Sequence, residues 1–234
     1  MHWDFAMILL FLGTAVPLLG RRRVRKLLEA PHTTKSERLA LYASTVVFQW
    51  LTVGVILWRT RAHSIAHARL GLAIPKPLMA IVVTIVLAGL LYANQALSLR
   101  RISSNAAELR GILPQLALKI FPQDHQERIA FTGLVATVAF CEEMIYRGFA
   151  QRVFEDWSRG KAIVGILGSA AIFAFAHLYQ GRRGLIVTCV MGAIFSSIRA
   201  ITGSLLPSAV GHFVADMTAG FLAPSKVRRA LSEG

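Results

Sequence analysis

Of the twelve Asp and Glu residues in this chain, Glu142, Glu143 and Asp216 fall inside long apolar runs, and so do two of its seven histidines, His177 and His212. An ionised acid at the centre of a membrane helix costs on the order of 3 kcal/mol, so such groups are expected to face one another or a polar cavity rather than lipid. Acids and imidazoles held away from bulk water can move protons, activate a water molecule or bind a metal ion.

Spacing sorts them into three clusters. In Glu142-Glu143-Met144-Ile145-Tyr146-Arg147, Glu143 and Arg147 are one helical turn apart with the acid first, the favourable order for an ion pair. Glu142 points about 100° away and has no cation nearby in sequence, which suits a general base. A bland reading exists for the pair, as a buried bridge locking two helices, but it leaves Glu142 unexplained. The second cluster is Phe173-Ala174-Phe175-Ala176-His177, in which Phe173 could wall off a site or pack against a lipid-like substrate chain. Alone, His177 reads more readily as a hydrogen-bonded core histidine than as a ligand or base. The third is His212-Phe213-Val214-Ala215-Asp216, where an acid one turn from a histidine can fix its tautomer, share a metal or help hold a water. Three helices each offering such groups point to one shared site.

The elements that must position these residues are membrane helices. With 55% hydrophobic and 16% charged residues and a mean hydropathy of +0.54, the chain is too apolar for an ordinary soluble domain. Apolar runs cover Phe5 to Gly20, Leu39 to Trp58, Leu78 to Leu99, Ile129 to Phe149, Ala162 to Leu178, Gly184 to Ile201 and Ser204 to Ala223. The expected fold is therefore an all-α polytopic transmembrane bundle of seven spans, or eight if the amphipathic stretch Leu109 to Phe121 enters the bilayer. A single membrane domain, 1–234, is expected: generic N-terminal spans over 1–125, a core with the active site among the four C-terminal helices over 126–223, and a basic tail over 224–234. Small residues such as Gly165, Gly168, Ser169, Ala170, Gly192 and Ser196 are read as close helix contacts.

The formal charge of +14 excludes little by itself, but the basic residues lie almost wholly between the apolar runs, as topology signals do, which argues against a nucleic-acid partner. Under seven spans, 17 of the 26 Lys and Arg lie on one side, anchored by Arg21 to Lys26. That side, with the C-terminus, is expected inside. The positive cluster follows the first apolar run rather than preceding it, which suits an uncleaved helix.

Other intramembrane chemistries fit less well. No His-Glu-x-x-His occurs, and only one aspartate lies in an apolar run. Cys141 and Cys189 read as small hydrophobes, while Ser169, Ser196 and Ser197 read as packing residues. A proton-coupled transporter lacks the inverted repeat or broken-helix pair it would need. Water activated by a glutamate with histidine help remains.

Glu-Glu-x-x-x-Arg at 142–147, Phe-x-x-x-His at 173–177 and His-x-x-x-Asp at 212–216 together resemble the motifs of the CPBP family, the CAAX protease and bacteriocin-processing group, also called Abi, related to type II CAAX prenyl endopeptidases. The resemblance implies an intramembrane endopeptidase acting on a membrane-embedded or lipid-anchored peptide or protein. In it, Glu142 with His177 would hold and deprotonate a water, His212 with Asp216 would stabilise the oxyanion, and Glu143 with Arg147 would orient Glu142. No cofactor is favoured; the alternative is Zn2+ held by Glu142, His177 and His212. The family takes Asn or Asp at the last motif position and its prenyl endopeptidases look typically like Asn, so Asp216 argues against prenylated substrates. Charge pattern and size look bacterial, implying a plasma-membrane protein that matures peptides or confers self-immunity. A non-catalytic scaffold or immunity factor that retains the motif is the alternative function. Oligomeric state is left open.

Overall fold

The computed structural model describes residues 2–102 and 112–232. Its described elements are helices, with no strand among them. They are α1 (Trp3–Gly13), α2 (Ala15–Glu29), α3 (Lys35–Ala62), α4 (Pro77–Ile102), α5 (Ile112–Ile120), α6 (His125–Trp157), α7 (Ala162–Ala176), α8 (Gly181–Thr202) and α9 (Leu206–Ser232).

Among the described residues, five stretches are long and apolar enough to cross a membrane: Trp3–Glu29, Lys35–Ala62, Pro77–Ser98, His125–Trp157 and Leu178–Thr202. The seven expected runs all fall on helices, but Ala162–Ala176 is shorter than a full span, and the helix from Leu206 does not meet the same measure over its described residues. The expected first run is broken at Thr14. Pro17 has no N–H to give the Gly13 carbonyl and its ring crowds that oxygen, so the chain steps from α1 to α2 there. Of the proposed eighth span, the described part is α5, which packs against α2 and α9; residues 103–111 lie outside the described residues.

Local chemistry sets the helix ends that matter. Thr34 and Glu37 form a reciprocal capping box at the start of α3, and Asp124 accepts from the Glu127 amide at the start of α6. At the end of α2, the Lys119 ammonium of α5 donates to the carbonyls of Leu27 (2.7 Å) and Leu28 (3.1 Å).

Helices α3 and α6 run parallel, because their contacts climb together: Arg38 to Glu127, Tyr42 to Phe131, Gln49 to Glu142 and Trp50 to Phe140. Helix α7 lies against α8 and α9 against α4. The small residues act as expected. A Cβ on Gly168 would stand 2.6 Å from the Phe154 ring, and one on Gly192 3.0 Å from Ala170. The core joins Phe5 and Leu12 of α1, Val53 and Ile56 of α3, and the middle of α6. The outward side chains are largely apolar, from Leu78 and Ile85 on α4 to Ile201 on α8, as lipid contact requires. Trp3 and Trp58 are both exposed at the same end of the bundle, where amphipathic rings meet the membrane surface.

Candidate active site

The site begins where α6 changes its winding. From Glu143 to Ala150 the hydrogen bonds lengthen to the i to i+5 pattern of a π-helix, a form concentrated at functional positions. Gly148 lies in this stretch, because a Cβ there would stand 2.9 Å from the Leu70 carbonyl oxygen. Glu142 is the last residue before the change, 15 residues from Trp157 and thus roughly 22 Å from that end of the helix. Its position is near the middle of the span.

The pair read from one-turn spacing is present. Arg147 Nη1 donates to Glu143 Oε1 at 2.9 Å, and both side chains are fully buried. The Arg147 guanidinium also lies 4.0 Å from the centre of the Phe173 ring and 5.3 Å from that of Phe195. Two aromatic faces thus replace part of the solvation it has lost. Phe173 is itself 4% exposed, and its ring sits 4.7 Å from His177 and 6.2 Å from His212. Buried beneath Arg147, Phe173 is the common neighbour of that guanidinium and both histidines.

His212 of α9 reaches all three acids. Nδ1 is 3.4 Å from Glu143 Oε1, while Nε2 is 3.5 Å from Asp216 Oδ2 and 4.0 Å from Glu142 Oε2. Glu143 therefore sets the ring's orientation, and Nε2 is left between Glu142 and Asp216. Asp216 is the least buried of the group, with 42% of its side chain exposed.

His177 caps the end of α7, where its Nδ1 meets the Phe173 carbonyl at 2.9 Å. A carbonyl only accepts, so Nδ1 carries the hydrogen and Nε2 of the neutral ring is an acceptor. His177 and Glu142 line one cavity of about 530 Å³, which His212 adjoins through Glu142. The cavity runs between α1–α3 and α6 from this pair toward Arg23 and Leu27, at the basic end of the molecule. The Glu142 carboxylate divides its oxygens: Oε1 accepts from Gln49 Nε2 at 3.1 Å, and Oε2 is buried without a protein hydrogen-bond partner.

Sequence reading did not find Gln49, nor the part α1–α3 take in walling the cavity. The available signal was an amide inside the apolar run Leu39 to Trp58. Tyr146 and Tyr179 also line the cavity. Zinc would require Glu142, His177 and His212 to present ligand atoms to one point. Among the described residues the compact group, with ligand atoms within 4.8 Å of one another, is His2, Asp4 and His63, and the Glu142 set does not form one.

A buried acid with one free oxygen, a histidine acceptor beside it on a cavity wall and a second histidine ringed by carboxylates, all within apolar helices, define a membrane-embedded site equipped for water-dependent chemistry. Residues 125–218, from the start of α6 into α9, match the family model described as type II CAAX prenyl endopeptidase Rce1-like, so this part of the chain is similar to that family. The five apolar helices among the described residues indicate an integral membrane protein. No curated protein and no solved structure matches the chain.

Proposed function

We propose that the protein is an intramembrane endopeptidase that hydrolyses a peptide bond with a water activated by Glu142 and His177. The observation that carries this reading is the Glu142 carboxylate: one oxygen is held by Gln49, the other is buried without a protein hydrogen-bond partner, and the residue lines a cavity together with His177. Water can donate one hydrogen to Glu142 Oε2 and the other to His177 Nε2, both of which are acceptors. As the water oxygen bonds to the scissile carbonyl carbon, Glu142 takes its proton and the carbonyl oxygen becomes an oxyanion. His212, whose Nδ1 donates to Glu143, carries a second proton on Nε2 and, donating from it as the imidazolium, stabilises that charge, a contribution worth about 3 kcal/mol for a preorganised donor. Collapse breaks the C–N bond, and Glu142 returns the proton to the leaving amine. Glu143, Arg147 and Asp216 act as positioning residues: Glu143 anchors the His212 ring, Arg147 neutralises Glu143, and Asp216 steadies Nε2.

The substrate class is a membrane-associated peptide. The matched family is described as a prenyl endopeptidase, which favours a prenylated peptide over the unprenylated one that Asp216 suggested. By the positive-inside rule the basic end, toward which the cavity runs, faces the cytoplasm, so substrate enters from that side of a plasma membrane. The test is cleavage of a synthetic peptide ending in a CAAX sequence, with and without a farnesyl group on its cysteine, by purified chain in detergent. Wild type is expected to cut the farnesylated peptide and Glu142→Gln to leave it intact. Equal cleavage by both would end the proposal. Cleavage of the unmodified peptide alone would remove the prenyl requirement.

A further inference from the structure

A second polar cluster lies at the opposite end of the bundle from Arg21 to Lys26, where α1 begins and α3 ends. Asp4 is 9% exposed at its side chain, and its Oδ2 accepts from Arg59 Nε at 2.8 Å and lies 2.9 Å from His63 Nε2. Its Oδ1 is buried without a hydrogen-bond partner. A buried carboxylate oxygen with no donor loses its hydration uncompensated, which natural structures seldom leave standing. The ring of His2 stacks on that of His63 with centres 3.7 Å apart, and one ligand atom from each of His2, Asp4 and His63 lies within 4.8 Å of the others.

We propose that His2, Asp4 and His63 bind one divalent transition-metal ion, of the zinc, nickel or copper type, which clasps the start of α1 to the end of α3. Two imidazoles and one carboxylate are the donor set such borderline ions prefer over calcium or magnesium. The 2.9 Å between Asp4 Oδ2 and His63 Nε2 is a hydrogen bond, and it falls a few tenths of an ångström short of the roughly 3.0 to 3.4 Å between neighbouring ligands each about 2.1 Å from an ion, so a small side-chain shift admits one. The ion therefore takes the place of the proton between them, which leaves to solvent as it enters. Asp4 Oδ1 gains the positive partner it lacks. His2 is exposed, so turning its ring from the stack to the ion displaces no buried neighbour. Arg59 stays on Asp4 and opposes the ion's charge, which sets the affinity well below that of a dedicated zinc site. The Phe5 ring touches His2, His63 and Phe149, so the clasp bears on the π-helical stretch about two turns beyond Glu142.

Calorimetric titration of Zn2+ into full-length chain in detergent, carrying no polyhistidine tag, tests this directly, with Cu2+ electron paramagnetic resonance as the readout of ligand type. Wild type is expected to bind one ion per chain, with nitrogen hyperfine structure on copper and a zinc-dependent rise in thermal midpoint. His2→Ala and His63→Ala should each weaken binding at least tenfold and abolish the rise, while Glu142→Gln and His177→Ala leave both unchanged. Asp4→Asn also strips Arg59 of its partner, so the exposed His2 gives the cleaner variant. Binding unaffected by both N-terminal histidine substitutions, or lost in Glu142→Gln or His177→Ala instead, would overturn the assignment.

Discussion

Along the parallel pair α3 and α6, Glu127 and Glu142 are both acids of α6 that accept from a side chain of α3, and they differ in what is left over. At the basic end, Glu127 Oε1 takes Arg38 Nε and Nη2 at 2.9 and 2.8 Å, its Oε2 takes the Gln123 amide at 2.6 Å, and the remaining arm of Arg38 donates to the Thr33 carbonyl. Every strong valence is used. In the middle of the span, Glu142 Oε2, Glu143 Oε2 and two nitrogens of Arg147 have no protein hydrogen-bond partner. Saturated, a buried charge cluster can only hold helices together; unsaturated, it retains the capacity to bind and polarise something else.

The comparison can be broken by substitution, and the largest effect belongs to the unsaturated acid. Glu142→Gln keeps size and the contact with Gln49 but removes the base, so the cleavage rate should fall by about 10³-fold, with the thermal midpoint unchanged. A variant that unfolds instead of losing rate would place Glu142 with the structural acids. Glu127→Ala should do the reverse: orphaning Arg38 in the interior costs roughly 3 to 5 kcal/mol of stability, with activity per folded molecule retained. Thermal unfolding and active-site titration together check this. His212→Ala should lower the rate by about 10²-fold with little change in KM, as loss of a donor to the transition state does. Smaller still is Gln49→Ala, expected to cost about fivefold in kcat with KM unchanged, because one hydrogen bond worth roughly 1 kcal/mol no longer fixes the carboxylate.

The weakest effect sharpens the other side of the comparison. Asp124, at the edge of the saturated cluster, has its carboxyl held below the usual carboxylate range first by the Lys35 ammonium at 2.7 Å and then by the Glu127 amide. A lowered folded pKa stabilises above the unfolded value of about 3.9 and that contribution fades as pH drops through the folded value. Acid unfolding below about pH 4 should therefore flatten slightly in Asp124→Asn, read from thermal midpoints across that range.

What could be read in advance follows from distance along the chain. Glu143 with Arg147, and His212 with Asp216, are four residues apart, and helical geometry alone brings them together. The helical class was equally plain, because twenty-residue apolar runs have few other fates. Gln49 with Glu142 and Arg38 with Glu127 are 93 and 89 residues apart, and no periodicity predicts which α3 side chain meets which acid of α6. Asp4 escaped notice because it stands one residue before an apolar run that sequence reading began at Phe5, whereas the helix starts at Trp3. Among the described residues, five of the seven expected runs are long and apolar enough for a full span, for a related reason. Apolarity locates α7, but its 15 residues end at His177, where the ring bonds back to the chain instead of continuing the helix.

The altered winding between Glu143 and Ala150 carries a further implication. A π-turn accommodates one residue more than regular α-geometry, so excision of a single amino acid there would leave a well-formed helix while rotating everything downstream by about 100° relative to Glu142. Phe149, now against Phe5, would swing off its neighbour, and Gln151, Glu155 and their partner Arg199 would be thrown out of phase. The segment thus behaves as a phase adjuster, which lets one continuous rod satisfy two angular demands that uniform coiling cannot meet together.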